Sequence, residues 1–331
     1  MPDKARSLAG GDIPHVSEAP CILEDTLDTV RRLQAQSISS HRHNYTVTAG
    51  VRILFFWLSK DDVGEGYIQM GRLPEDGDTE VIQLVMGSDP SKAPRGINRW
   101  GAAVETFHPQ TGADYFFGFI KASKGRSVSE MENELERENN DQDYYFESIV
   151  SRITSSGMQS ITVPIHSSRD INLHQLPDAE EMVLQHMAET ETPSRFLGSD
   201  VIASCGNTDG MLFTLQKITA LVVDGEEAPL EQCYFYNSKP YLLQLKSYKT
   251  VPSKLISFKR WDRMDKTETG YENLISADFN IRNEETGDTT KFNMLIGTED
   301  RFRGIPVQIR YQPNWWFRVV LNLDPEIENP N

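Results

Sequence analysis

Cysteine is scarce. Cys21, Cys205 and Cys233 are the three in 331 residues, too few and too widely spaced for the framework of a small disulfide-dependent secreted domain. One pair is all the count allows, and whether Cys205 meets Cys233 is open at this level. No stretch approaches the roughly 18 apolar residues of a membrane-spanning helix, so no transmembrane segment is expected. Bases are outnumbered, 33 Lys and Arg against 49 Asp and Glu, for a formal charge of −16. A general nucleic-acid binder needs a concentrated positive face to neutralise phosphates, so that class is set aside. Met1–Arg6 is followed by no apolar run of leader length. That fits a cytoplasmic protein, or a periplasmic or secreted one from which a leader has been removed.

The common catalytic signatures are missing too. There is no G-x-x-x-x-G-K-[ST] phosphate loop, and Gly64, Gly66 and Gly71 have the wrong spacing for a dinucleotide fingerprint. No G-x-S-x-G elbow, H-E-x-x-H helix or C-x-x-C pair occurs. No cofactor is therefore expected, and any catalytic site would have to be assembled from distant residues.

With 38% hydrophobic residues the chain can still build a core. Apolar residues at helical spacing mark 19–36, a capping-box pattern at Ser127 and Glu130 opens an acidic helix over 127–150, and Asp178 and Glu181 precede a third helix near 178–190. Elsewhere the pattern has period two, in about fourteen strands that include 44–58, 66–72, 80–86, 100–107, 211–223, 241–248 and 315–323. Turn signals such as Asn237-Ser238 and Asp224-Gly225 separate them. The run Ile53-Leu54-Phe55-Phe56-Trp57 is apolar on both faces and reads as a core strand.

This composition predicts a mainly β fold: antiparallel, barrel-like or sandwich-like units with about three peripheral helices. The expected organisation is a disordered segment at 1–18, a helix and first β unit at 19–125, a helical acidic connector at 126–198, a second β unit at 199–324 and a tail at 325–331. Leu84-Val85-Met86-Gly87-Ser88-Asp89 with Arg95-Gly96-Ile97 also echoes Met294-Leu295-Ile296-Gly297-Thr298-Glu299 with Arg303-Gly304-Ile305. Shared turn chemistry or duplication of a unit would each produce that echo.

Charge is clustered. Residues 127–150 hold eight acids and one base, among them Glu132, Glu134 and Glu136, whereas 238–266 hold eight bases and two acids, among them Lys246, Lys249 and Arg260. Complementary patches suggest contact within the chain or self-association. Trp315 and Trp316, with Tyr311 and Arg318, form a candidate ligand site, since an indole can stack on an apolar or amphipathic ligand. His41 and His43 lie at i and i+2, so on a strand they share a face and could ligate one metal ion if His108, His166 or His174 came close. Taken together, these features predict a non-enzymatic binding or structural module for an apolar or amphipathic ligand or a protein partner. The alternative is a carbohydrate-active or ester-hydrolysing enzyme on a β scaffold.

Overall fold

The computed structural model describes residues 41–53, 56–72, 79–108, 112–121, 144–154, 157–189, 194–206, 209–227, 230–260, 266–314 and 317–324, with 133, 134, 136 and 138. Fourteen strands follow in chain order. They are β1 (His41–Ile53), β2 (Phe56–Arg72), β3 (Glu80–Ser88), β4 (Trp100–His108), β5 (Gly112–Lys121), β6 (Tyr144–Thr154), β7 (Gly157–Ser167), β8 (Ser194–Gly198), β9 (Leu230–Tyr236), β10 (Lys239–Lys259), β11 (Lys266–Asn283), β12 (Thr289–Gly297), β13 (Pro306–Asn314) and β14 (Phe317–Leu323). Three α-helices lie between β7 and β9: α1 (Leu176–Glu189), α2 (Ser199–Cys205) and α3 (Met211–Val223). The mainly β, antiparallel expectation holds. No helix among the described residues is long and apolar enough to cross a membrane.

All fourteen strands belong to one sheet, in the order β8-β7-β6-β5-β4-β3-β2-β1-β14-β13-β12-β11-β10-β9. Two meanders of sequential hairpins are thus joined by one long-range seam, in which Tyr45 pairs with Leu323 and Val51 with Phe317. The hydrogen-bonded ladder does not close on itself, and β8 and β9 are its ends. Side chains bring those ends together instead. The β9–β10 turn has Asn237 and Ser238 at φ of 51° and 50°, the left-handed geometry of a two-residue hairpin. Its tip rests on β7, where Ser238 Oγ donates to Ser160 Oγ at 2.8 Å and Thr162 Oγ1 donates to Asn237 Oδ1 at 3.1 Å. Cys205 at the end of α2 is disulfide-bonded to Cys233 of β9, with Cα atoms 5.5 Å apart. Met158, Ile202 and Phe235 form a small apolar cluster at the same junction.

Each of two helices fills a concavity. On one face of the first meander, Leu176, Ala179 and Val183 of α1 pack on Trp100, Phe117, Phe119 and Phe146. Trp100 Nε1 donates to the carbonyl of Ile171 at 2.8 Å, which satisfies the buried indole. On the other face, α3 bridges the two meanders. Ile218 and Val222 meet Leu243, Leu245, Phe279 and Met294, while Leu212 and Phe213 meet Ile82.

Several expectations need correction. Residues 211–223 form a helix, not a strand; its first turn is capped by the distant Glu105, so no local signal marks its start. The single strand expected over 44–58 is two, β1 and β2. The apolar run through 53–57 carries no Gly, Pro or Asn to mark the turn. Of the acidic 127–150, residues 133, 134, 136 and 138 are helical, but Tyr144 onward is β6. The helix expected over 19–36 lies outside the described residues. Trp57 is only partly buried, and its neighbour Leu58 is 60% exposed. β3 starts to pair with β2 at Gly64, so among the described residues the stretch of β2 before it has a strand on one side only. Trp57→Ala should therefore cost about 1 kcal/mol, well short of the roughly 3–5 kcal/mol for a fully buried aromatic. Equilibrium urea unfolding would measure it.

The sequence echo adopts a common geometry. Asp62 in β2 and Asn273 in β11 both have φ of 51°, and Gly96 and Gly304 have φ of 70° and 75°. The closing bonds differ by one residue: Asp89 N–H donates to the carbonyl of Val63, the residue after Asp62, at 3.0 Å, whereas Thr298 N–H donates to the carbonyl of Asn273 itself at 3.1 Å. Gly87 and Gly297 are each so crowded that an added Cβ would lie 2.2 Å from Trp100 or 2.4 Å from Phe302.

Candidate binding surface

Buried charges in this chain are held by partners from other elements. Lys121 of β5, 1% exposed, is ion-paired with Asp170, which also accepts from Asn98 Nδ2 at 3.0 Å. Burial holds its ammonium below the usual lysine range, against the pull of Asp170. Arg260 Nη2 donates to both carboxylate oxygens of Asp324, joining the ends of β10 and β14. Asp209, just before α3, is taken by Lys217.

Glu105 of β4 is 1% exposed. Its carboxylate accepts the N–H groups of Leu212 at 2.9 Å and Phe213 at 3.1 Å, the open donors of the first turn of α3. The residue before the helix, Gly210, has no side chain to cap it, and a Cβ there would sit 2.6 Å from the Glu105 carboxyl. Burial pushes the Glu105 pKa up to about 7, although the helix N–H groups pull it down and only Asp209 adds to the rise. This anchoring role was invisible in the sequence, where Glu105 is one acid in an alternating strand.

The surface is dominated by an open strand edge. β10 is 21 residues long, but β9 covers only Lys239–Leu245. β11 pairs with it from Tyr241 to Lys259 on its other side, with one irregularity between Leu245 and Ser247. Beyond Leu245, no strand among the described residues continues the ladder past β10; its near neighbour is β2, at Asp61, whose carboxylate accepts the Lys259 N–H at 3.2 Å. Lys246, Lys249, Lys254 and Lys259 are exposed along that stretch, with Leu255 57% exposed between them. Lys239, under the β9 cover, is paired with Glu285 at 3.8 Å. The four lysines beyond it have no ion-pair partner among the described residues. Pro252 and the lysines are features that keep an edge from pairing indiscriminately.

The residues singled out from sequence are scattered. Trp315, Trp316 and Glu132 lie outside the described residues. Arg318 of β14 and Tyr311 of β13 are on opposite faces of the sheet, because Tyr311 is registered with Val319, the residue after Arg318. Arg318 sits over the Trp57 ring at 4.6 Å. Glu134 and Glu138 flank Arg99 at 3.8 and 3.0 Å, while Glu136 is exposed. Arg260 belongs to the Asp324 pair, whereas Lys246 and Lys249 are on the open edge. His41 is exposed and His43 is 8% exposed on the same face of β1. His174 instead meets Glu65 at 3.0 Å and His166 packs on Tyr145. Among the described residues no three His, Cys, Asp or Glu side chains are grouped to hold a metal. No protein-family model, curated protein or solved structure matches the chain.

Proposed function

We propose that this protein is a non-enzymatic binding module that takes an extended segment of a partner protein as an added strand along β10. The observation that carries this reading is the part of β10 beyond Leu245, paired by β11 on one side and left by β9 on the other. Backbone donors and acceptors along such an edge supply affinity, and the flanking side chains choose the segment. The unpaired lysines favour an acidic segment. They also oppose edge-to-edge pairing with a second copy, which would set lysine against lysine.

The test is a titration with acidic, neutral and basic β-prone peptides of about a dozen residues, read by calorimetry and by amide exchange. The acidic peptide should bind and slow exchange within 247–257, and the triple reversal of Lys246, Lys249 and Lys254 to Glu should weaken it about tenfold at low salt, less at high salt. Equal binding of all three peptides would retain strand addition and remove the acidic preference. No binding by any of them would end the proposal.

A further inference from the structure

Three arginines with no acidic partner among the described residues share one face of the seam. Gly50 of β1 is registered with Arg318 of β14 and with Ser59 of β2, and Arg52 with Trp57. Arg310 of β13 is registered with Val320, two residues from Arg318. Opposed residues share a face, and so do alternate residues of one strand. Arg52, Arg318 and Arg310 therefore run diagonally across β1, β14 and β13, with Trp57 and Ser59 beside them.

The group is arranged rather than incidental. Arg318 Nη2 donates to Ser59 Oγ at 3.0 Å while its guanidinium lies over Trp57. Arg310 Nε donates to Gln308 Oε1 at 2.6 Å, and Gln308 in turn donates to Asn322 Oδ1 at 2.6 Å. Gly50 leaves the space that Arg318 crosses, since a Cβ there would be 2.9 Å from Arg318 Nε. The Nε atoms of Arg52 and Arg318 are buried without a hydrogen-bond acceptor. A buried donor left open is destabilising, and more so on a charged group. Burial and the neighbouring Arg318 both hold Arg310 below the usual arginine range. The carboxylate that follows on this stretch of β2 is Asp61, which accepts from Thr48 Oγ1 at 3.0 Å and from the Lys259 N–H.

We infer that Arg52, Arg310 and Arg318 form a binding site for a phosphate-type oxyanion. Such an anion has several acceptor oxygens, enough for more than one guanidinium fork, and its charge relieves the repulsion of three adjacent cations. A monocarboxylate has two oxygens and one charge, and fits the triad less well. This site depends on residues other than those of the β10 edge.

Inorganic phosphate, sulfate and acetate are added to the full chain at constant ionic strength, and the unfolding midpoint and calorimetric binding are followed. Phosphate and sulfate should raise the midpoint and acetate should not. Arg318→Lys, Arg52→Gln and Gly50→Ala should each weaken phosphate at least about tenfold. A second readout covers variants that fold poorly. Without added anion, Arg52→Gln should unfold at the same or a higher midpoint than the parent, because it removes one of three repelling charges. A fall in that midpoint would make Arg52 a structural residue and overturn the inference. So would a phosphate effect equal to that of acetate, or one that persists unchanged in all three variants.

Discussion

Glu105→Ala should lower the stability of the protein by about 3–5 kcal/mol, the range for removing one partner from a buried charged network. The substitution strips the cap from α3, opens a cavity in β4 and leaves the N–H groups of Leu212 and Phe213 without an acceptor. Its isostere separates shape from charge. The folded pKa of about 7 lies above the ordinary 4.5, so Glu105 contributes most below the unfolded value. That contribution is lost as pH rises towards 7, then levels off. The integrated loss is about 3 kcal/mol. Glu105→Gln should flatten this segment of the stability profile between about pH 4.5 and 7. Urea midpoints across that interval for both proteins are the measurement, and parallel profiles would show that Glu105 does not titrate there. Asp209, Lys217 and Tyr234 surround the same site, but Asp209 and Lys217 neutralise each other.

The Cys205–Cys233 bond should matter almost as much. It joins residues 28 apart in sequence, and closing a loop of that length is worth about 3–4 kcal/mol in the chain-entropy account. Replacing both cysteines by serine should lower the urea midpoint accordingly, and amide exchange should rise first in α2 and β8. The reason is geometric: the disulfide, the Met158–Ile202–Phe235 cluster and the β9–β10 turn together join sheet ends that share no ladder. A uniform rise in exchange over the whole sheet would instead show that the bond supports global stability without holding the junction.

What could be read in advance followed the range of the interaction. Strand periodicity, the Asn237-Ser238 turn and α1 are local, and each was legible from neighbouring residues. Among the described residues the strand content also exceeds helix by well over twofold. The errors share a cause. In α3, Met211–Val223 mixes β-branched and apolar residues, and only Glu105, 107 positions away, marks its first turn. Local pairing was equally hidden: Glu134 and Glu138 of the acidic stretch are set beside Arg99. Net charge does not encode which guanidinium is near. The arginine triad was hidden for the same reason: Arg52, Arg310 and Arg318 are far apart in sequence and become neighbours only through the register of β1, β14 and β13.

That seam also dictates an order of events in folding. Every other strand pair is between consecutive strands, so the two meanders can grow hairpin by hairpin at small loop-closure cost. Thr46 and Asn322, by contrast, are 276 residues apart, and their contact must wait until β14 has been synthesised. On a ribosome, β1 would spend most of translation with one edge satisfied by β2 and the other bare. The seam should accordingly be the slow step of refolding, and substitutions in β14 should slow it more than equally destabilising ones within β6 and β7.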